Sequence, residues 1–259
     1  YPDNKSLVIP IYPLELSSKI IPNNSKLLVV HTAFLTREKI KYVGVNNYIN
    51  TNESIIRNIK SIINTSLESK IVLISSGAAS SVMEDEILNR ESLLKDPYGN
   101  LKRKEEIELS KICECLTLRI YGLTGRFIRD PSIFAFGNFL LQAKSKTAIK
   151  ISSKAKVIRS YCYAGDVARL SINWLQNSLL IGNKAIPAVS DTIDLLTLAN
   201  LISNMYNLPP VEHEINEALP SNIYVATEAD YFSLLLKFKQ KPTDLIDQIK
   251  STKNFIKDL

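Results

Sequence analysis

The chain has 259 residues, of which 45% are hydrophobic and 22% are charged, so it is long enough for one large folded domain or two small ones. This composition excludes disordered, coiled-coil, collagen-like and disulfide-scaffold proteins. The net charge of +6 is spread along the chain, and its densest run, at 102–104, is followed by two glutamates. That pattern indicates a solvated helix face rather than a nucleic-acid-binding surface. The longest apolar runs fall far short of the roughly 20 residues of a membrane span, so we expect a cytoplasmic protein.

Strands and helices alternate in the sequence from residue 26 onward. Continuous apolar runs predict strands buried on both faces, and apolar residues at helical spacing predict amphipathic helices, the first capped by Asn50 or Thr51. The strands cover 26–31, 70–75 and 116–121, and the helices cover 51–67 and 98–115, with a polar loop up to residue 97. This order predicts an α/β fold with a doubly wound parallel sheet, which binds ligands at the carboxyl ends of its strands.

The second half of the chain contains shorter, mixed elements. They comprise an aromatic segment over 133–141 and helices near 166–176, 195–206 and 243–256. We therefore expect two lobes, 1–125 and 126–259, the second being smaller, mixed α/β and in part returning to the sheet.

The three cysteines, Cys113, Cys115 and Cys162, predict no metal site. A lone Cys-x-Cys pair lacks the second ligand pair that zinc requires. We expect buried or partly buried free thiols.

Ser76, Tyr98 and Lys102 are the residues best suited to carry chemistry. Tyr98 and Lys102 are four residues apart, which places a phenol and an ammonium on one helix face. A cation beside a phenol lowers its pKa and makes it a usable general acid or base. The spacing alone is weak evidence, because Tyr1 and Lys5 repeat it, but Tyr98 begins a helix that follows a strand and a serine-rich loop. The strand end, the loop and the helix start can therefore converge on one cleft.

Several segments resemble, in the same order, the extended branch of the short-chain dehydrogenase/reductases. Members of that family are mostly NAD(P)-dependent epimerases, dehydratases and reductases of nucleotide-linked sugars. The matching segments are Val29-Val-His-Thr-Ala33, Ile74-Ser-Ser-Gly-Ala78, 98–106, 119–125, Phe136-Gly-Asn-Phe-Leu140, 159–166, 189–191 and 250–255. The resemblance implies a Rossmann-like cofactor domain over 1–125 and a mostly substrate-binding lobe over 126–259.

The resemblance also implies a role for individual residues. Tyr98 would be the acid/base, Lys102 would bind the cofactor ribose and lower the pKa of the phenol, and Ser76 would hydrogen-bond the reacting sugar oxygen. NAD or NADP would be bound by His31, Thr32, Ala33, Ser75, Tyr98 and Lys102, and the nucleotide sugar by Ser76, Gly77, Asn138 and Arg159. Structural alternatives stay open: a turn serine for Ser76, a helix cap for Asn138 and a surface salt bridge for Arg159. Asp166 is better explained as a helix N-cap.

Three departures from the family pattern limit what the resemblance implies. Residues 1–43 contain no glycine, so the phosphate-binding glycine turn and the first β-α-β elements are missing from this sequence, and 9–16 is a candidate third strand. Gly77 and Ala78 stand where dehydratases carry an Asp-Glu pair, which disfavours dehydration. Gly122 replaces a sugar-binding asparagine.

The sequence therefore favours an NAD(P)-dependent nucleotide-sugar epimerase or 4-ketoreductase in surface-polysaccharide precursor synthesis, with no nucleic-acid or membrane partner. The family pattern further implies a homodimer through the helices near 51–67 and 98–115. The alternative from another class is a catalytically silent scaffold or regulator of the same fold that binds no dinucleotide. A basic nucleic-acid binder is a third hypothesis, which would show a salt-dependent affinity.

Overall fold

The computed structural model describes residues 10–22, 25–83, 89–128, 130–177 and 183–257. The helices are α1 Ser17–Ile20, α2 Ile40–Val43, α3 Val45–Thr65, α4 Arg90–Lys95, α5 Pro97–Ser110, α6 Ala135–Lys144, α7 Ala164–Gln176, α8 Leu195–Tyr206, α9 Ala229–Lys237 and α10 Leu245–Lys257. The strands are β1 Lys26–His31, β2 Glu68–Ser76, β3 Glu114–Ile120, β4 Leu123–Thr124, β5 Lys150–Ile151, β6 Val157–Tyr163, β7 Ala185–Ala188, β8 Asp191–Asp194, β9 Glu212–His213 and β10 Asn222–Tyr224. Among these helices, none is long and apolar enough to cross a membrane.

The central sheet is parallel and has the order β1-β2-β3-β7. Ser76 at the end of β2 lies opposite Ile120, which in turn lies opposite Ala188 of β7. The carboxyl ends of the strands therefore meet at one edge of the sheet. The predicted parallel α/β sheet is confirmed, and β7 shows that the chain after residue 126 does return to it.

Helices cover both faces of this sheet. On one face Ile59 and Ile62 of α3 and Leu109 of α5 pack against Ile71 and Leu73. On the other face α7 and α9 pack against the same strands, with residues that include Val72, Leu116, Leu118, Leu170, Trp174 and Leu235. Burying one large apolar side chain contributes about 1.5–3 kcal/mol, so these two layers hold the sheet between them. The doubly wound architecture is confirmed.

Strand β1 differs from its prediction as a strand buried on both faces. Leu28 and Val30 are 54% and 44% exposed, whereas His31 is buried. The reason is that β1 is the outermost strand of the described sheet and pairs only with β2 there. Apolar side chains on one face of β1 thus remain open to solvent.

Several predicted boundaries were wrong. Residues 14–16 form a 3-10 turn that leads into α1, so no strand begins there, and residue 9 lies outside the described residues. Helix α3 begins at Val45 after Gly44, whose φ of 77° favours glycine, and not at Asn50 or Thr51. The loop before residue 97 contains α4, and the helix expected over 98–115 ends at Ser110 because the chain enters β3 at Glu114.

A second sheet is built on β6. Strands β10 and β4 pair parallel to β6, and β8 pairs antiparallel to it. Helices α6, α8 and α10 pack together over this sheet around a core that includes Phe136, Tyr161, Leu198 and Ile249. The predicted helix over 195–206 is confirmed as α8, and α7 and α10 begin within two residues of their predicted starts.

Asp166 is not an N-cap, contrary to the prediction. It lies in the first turn of α7, is 1% exposed, and accepts hydrogen bonds from the backbone N–H and the hydroxyl of Thr243. It also pairs with Arg169. Asp166 therefore anchors the segment before α10 to α7.

Candidate active site

Ser76 ends β2 and opens the turn Gly77–Ser81. Its hydroxyl oxygen accepts a hydrogen bond from the Ala78 N–H at 3.3 Å, and the side chain also interacts with the Tyr98 phenol. Ser76 is thus both a turn serine and a neighbour of the predicted acid/base. The two interpretations of this residue are compatible.

Tyr98 is placed by the start of helix α5. Pro97 occupies the first helical turn, and the Asp96 side chain caps the helix by accepting from the Gly99 N–H at 3.3 Å. A side chain at position 99 would lie 2.9 Å from the Ala78 carbonyl oxygen, so glycine lets α5 approach the Ser76 turn closely. The capped start of α5 and the close approach of the turn after Ser76 therefore bring Ser76 and Tyr98 together.

The Tyr98 phenol has a raised pKa in this structure. Burial is the main cause, while the hydrogen bond with Ser76 and the positive charge of Arg37 act in the opposite direction. The Arg37 guanidinium lies 5.1 Å from the centre of the Tyr98 ring. The predicted lowering of this pKa by Lys102 is therefore not found: burial dominates, and Arg37 is the cation that favours the phenolate.

Lys102 is buried, with 4% of its surface exposed, and Glu105 and Glu106 are buried as well, so the prediction of a solvated helix face at this charged run was wrong. Its ammonium donates to the Ile74 carbonyl at 3.1 Å and to Glu105 at 2.9 Å. The Phe34 ring lies across the remaining side, with its centre 3.8 Å from the nitrogen. The two hydrogen bonds use two of the three N–H donors of the ammonium, and the ring lies close to the same nitrogen.

Glu105 links Lys102 to His31 at the end of β1. One carboxylate oxygen of Glu105 accepts from Lys102, and the other lies 2.9 Å from Nε2 of His31. Glu105 is 0% exposed and His31 is 4% exposed. A buried carboxylate with fewer partners would be costly, so His31 and Lys102 together make Glu105 tolerable in the interior.

A second buried charge pair supports the same strands. Glu106 accepts from Ser75 at 2.6 Å and from Arg119 through two hydrogen bonds of 2.9 and 2.7 Å. The Ser75 hydroxyl, which was predicted to contact the cofactor, thus donates to Glu106. This bidentate pair ties α5 to the ends of β2 and β3, and it keeps the Ser76 turn in place.

Two tyrosines form a wall beside Ser76 and Gly77. The Tyr121 and Tyr224 rings contact each other at a tilt of 42° with their centres 4.8 Å apart, and Tyr224 also interacts with the Ser76 side chain. A Cβ at Gly77 would lie 2.6 Å from the Tyr121 ring, so the ring occupies the space that a side chain at 77 would need. Gly122 is equally restricted, because a Cβ there would lie 2.7 Å from the Tyr161 ring, which leaves no room for an asparagine.

Arg159 lies in β6 and Asn138 lies in α6. Arg159 donates to the backbone oxygen of Asn222 at 2.8 Å and to its side-chain oxygen at 3.0 Å, and it faces Tyr224 across the β6–β10 pair. Asn138 lies inside α6, where its side-chain oxygen accepts from Gln142 at 2.6 Å, so it is not a helix cap. Thus Arg159 is joined to the site through β10, while Asn138 interacts within its own helix.

A cavity of about 410 Å³ opens beside β6. Charged and polar side chains at its wall include Lys156, Asp194, His213 and Glu217. Its volume lies in the range of small-molecule sites. Val157, two residues before Arg159 on the same strand, lines it.

The residues predicted to hold a nicotinamide dinucleotide differ in how exposed they are. Thr32 and Ala33 are exposed in the loop after β1 and are open to a ligand. Lys102 is not, since Ile74, Glu105 and Phe34 surround its ammonium.

Sequence reasoning identified Ser76, Tyr98 and Lys102, which the structure does bring to one edge of the sheet. It missed Phe34, Arg37, Glu105, Tyr121 and Tyr224. Glu105 carried a signal, because it lies three residues after Lys102 and so shares its helix face. Tyr224 carried none, because it is 126 residues from Tyr98 in the chain and reaches the site only through the β6–β10 pair.

No protein-family model matches the chain, and no curated protein matches it in sequence. Solved structures do match it in fold. A UDP-glucose 4-epimerase from Thermotoga maritima, with bound UDP-glucose, superposes with a TM-score of 0.67 at 19% identity over 95% of this chain and 82% of its own. A UDP-N-acetylglucosamine 4-epimerase from Methanobrevibacter ruminantium gives 0.70 at 17% identity over 93% and 79%. A UDP-glucuronic acid 4-epimerase from Bacillus cereus, in complex with UDP-glucuronic acid and NAD, gives 0.61 at 18% identity over 82% and 68%. These likenesses confirm the fold inferred from the sequence resemblance.

Proposed function

We propose that this chain, whose fold is that of the extended short-chain dehydrogenase/reductases, is an NAD(P)-dependent nucleotide-sugar epimerase or 4-ketoreductase. The observation that carries the proposal is the meeting of Ser76 and Tyr98 at the carboxyl edge of a parallel sheet. That edge is where ligands bind in this architecture. The structural neighbours that bind UDP-sugars support the substrate class. The proposal places the enzyme in the cytoplasm, in the synthesis of surface-polysaccharide precursors.

In the proposed reaction Tyr98 moves the proton and Ser76 orients the sugar. The Tyr98 phenolate accepts the proton of a sugar hydroxyl, while Ser76 donates a hydrogen bond to the same oxygen. Because burial raises the pKa of Tyr98, the resting phenol is protonated and can give its proton to a keto oxygen when the sugar is reduced. When the sugar is oxidised, the phenol must first lose its proton to solvent, which the hydrogen bond with Ser76 and the Arg37 charge favour. A bound nicotinamide dinucleotide would supply the hydride acceptor.

The turn after Ser76 argues against water elimination as the reaction. An Asp-Glu pair at 77 and 78 would require a side chain where the Tyr121 ring lies 2.6 Å from the Cβ position of Gly77. Ala78 is also buried. The space beside Ser76 therefore favours chemistry at the sugar hydroxyl alone.

The cavity beside β6 is the proposed place for the nucleotide. Arg159 lies on the same strand as the cavity wall, and a guanidinium forms short charge-assisted hydrogen bonds with phosphate oxygens. Because Arg159 already donates to Asn222, a diphosphate would replace those neutral bonds with stronger ionic ones. Asn138 is proposed as a further contact.

One observation favours a second candidate, a non-enzymatic protein of the same fold. The ammonium of Lys102 is committed to Glu105 and Ile74 beneath Phe34. A chain that never binds a dinucleotide could keep that arrangement permanently. Such a protein would still be able to bind a nucleotide sugar.

Turnover of UDP-glucose, UDP-N-acetylglucosamine and UDP-glucuronic acid, each with NAD⁺ and with NADP⁺, tests the proposal. We expect Tyr98→Phe to reduce kcat by at least about 100-fold, because proton transfer by a placed side chain contributes about 10²–10⁴-fold. Tyr42→Phe is the matched control, since Tyr42 is 70% exposed on α2. If wild type and Tyr98→Phe turn over an accepted sugar equally, the mechanism is wrong. If no sugar is turned over although one binds, the non-enzymatic candidate is correct.

A further inference from the structure

The geometry points to Phe34 as the residue that decides whether a dinucleotide can bind: we propose that its ring covers Lys102 and must turn outward before a ribose can reach the ammonium. This inference rests on the proposed function for the identity of the ligand. The covering of Lys102 itself rests only on contacts within the chain.

The Phe34 ring contacts two of the predicted site residues, Lys102 and Tyr98. Its centre lies 3.8 Å from the Lys102 nitrogen and 6.0 Å from the centre of the Tyr98 ring, which it meets edge-on. A cation held over an aromatic face is attracted by the ring quadrupole, most strongly where water is excluded. The ring therefore has a favourable position over Lys102 in the absence of any ligand.

Phe34 lies in the short loop between β1 and the 3-10 turn that begins at Arg37. Phe34 is half-buried, and its neighbours Thr32, Ala33 and Thr36 are exposed in the loop between β1 and the following turn. The backbone of Leu35 is held at the far end of this loop, where its N–H donates to Asn52 at 2.8 Å and its carbonyl accepts from Tyr48 at 2.6 Å. Rotation of one side chain in the loop would uncover Lys102 without shifting β1.

Glu105 allows the covered state to persist. An ammonium buried without a counter-ion would be strongly disfavoured. Glu105 supplies that counter-ion at 2.9 Å, and His31 occupies its second oxygen at the same distance. Lys102 is therefore satisfied without a ribose, and the dinucleotide must compete with the Phe34 ring alone.

This arrangement predicts a measurable reduction of dinucleotide affinity. When only a fraction of molecules is competent to bind, the apparent Kd rises by the inverse of that fraction. If the ring is turned out in about one molecule in ten, the Kd is about tenfold weaker than in a permanently open protein. Phe34→Ala would tighten the Kd by this factor, whereas Phe34→Leu would keep most of the side-chain volume over Lys102 and leave the Kd weak.

Two measurements on the full chain test the proposal. The first is the rate at which the Lys102 amine is acetylated by acetic anhydride, read peptide by peptide by mass spectrometry. The second is the Kd for NAD⁺ and for NADP⁺ by calorimetry. We expect Phe34→Ala to raise the acetylation rate and to tighten the Kd by about tenfold, and Phe34→Leu to leave both close to wild type. Phe232→Ala, a half-buried phenylalanine on α9, is the matched control for loss of a ring.

The two measurements separate the failure of this inference from the failure of the proposed function. An unchanged acetylation rate in a folded Phe34→Ala protein would refute the proposal that the ring covers Lys102. Faster acetylation with an unchanged Kd would show that the ring does not control cofactor binding, which also overturns the inference. If Phe34→Ala is acetylated faster but neither protein binds a dinucleotide, the result confirms that the ring covers Lys102 in the wild-type protein. The same result counts against an NAD(P)-dependent enzyme.

Discussion

Glu106→Gln removes one negative charge from the buried pair that ties α5 to the sheet. The wild-type carboxylate is surrounded by donors: the Ser75 hydroxyl, two N–H groups of Arg119 and one of Arg103. An amide of the same shape would turn an NH₂ group toward one of these donors, and it would leave the 15%-exposed Arg119 side chain without a counter-ion. Removing one partner of such a pair costs about 3–5 kcal/mol.

The assay is the free energy of unfolding from urea titration, with the thermal midpoint as a second measure. A loss of about 3–5 kcal/mol corresponds to a fall of about 6–20 °C for a chain of this size. Glu108→Gln is the matched control, because it removes the same charge from the same helix. Glu108 pairs with Lys60 at 2.7 Å, but the two side chains are 29% and 35% exposed, so its loss costs about 1 kcal/mol or less. Equal small losses in both variants would refute the reasoning.

Gly122→Ala should lower the free energy of unfolding by about 1–3 kcal/mol, because the new methyl group would be overpacked against the Tyr161 ring. An unchanged urea midpoint would contradict this. The urea midpoint should fall as the pH rises from about 9 to about 12, because burial raises the pKa of Tyr161 to about 12 and also raises that of Tyr98. The folded chain keeps phenol protons that the unfolded chain loses above about pH 10, so a rising midpoint would refute this. Sedimentation should show a dimer through α3 and α5, and a single species near 29.1 kDa would contradict that prediction.

Strands and helices with strong hydrophobic periodicity were predictable from local sequence alone. The apolar runs at 26–31 and 70–75 became β1 and β2, and the stripe of isoleucines became the buried face of α3. Local spacing was sufficient there because burial of one continuous face decides both the element and its orientation. The same reasoning identified Ser76, Tyr98 and Lys102, since a strand end, a loop and a helix start follow one another directly in the chain.

The charged partners of the site residues, and the groups that cover them, follow from packing of the whole chain. The sequence placed Lys102 beside Tyr98 but could not show that Glu105 neutralises it or that Phe34, 68 residues earlier, lies across it. It could not place Arg37 over the Tyr98 ring or Tyr224 beside Ser76 either. These contacts join residues that are distant in the chain, and their strength depends on burial, which is set by packing of the whole fold rather than by local sequence.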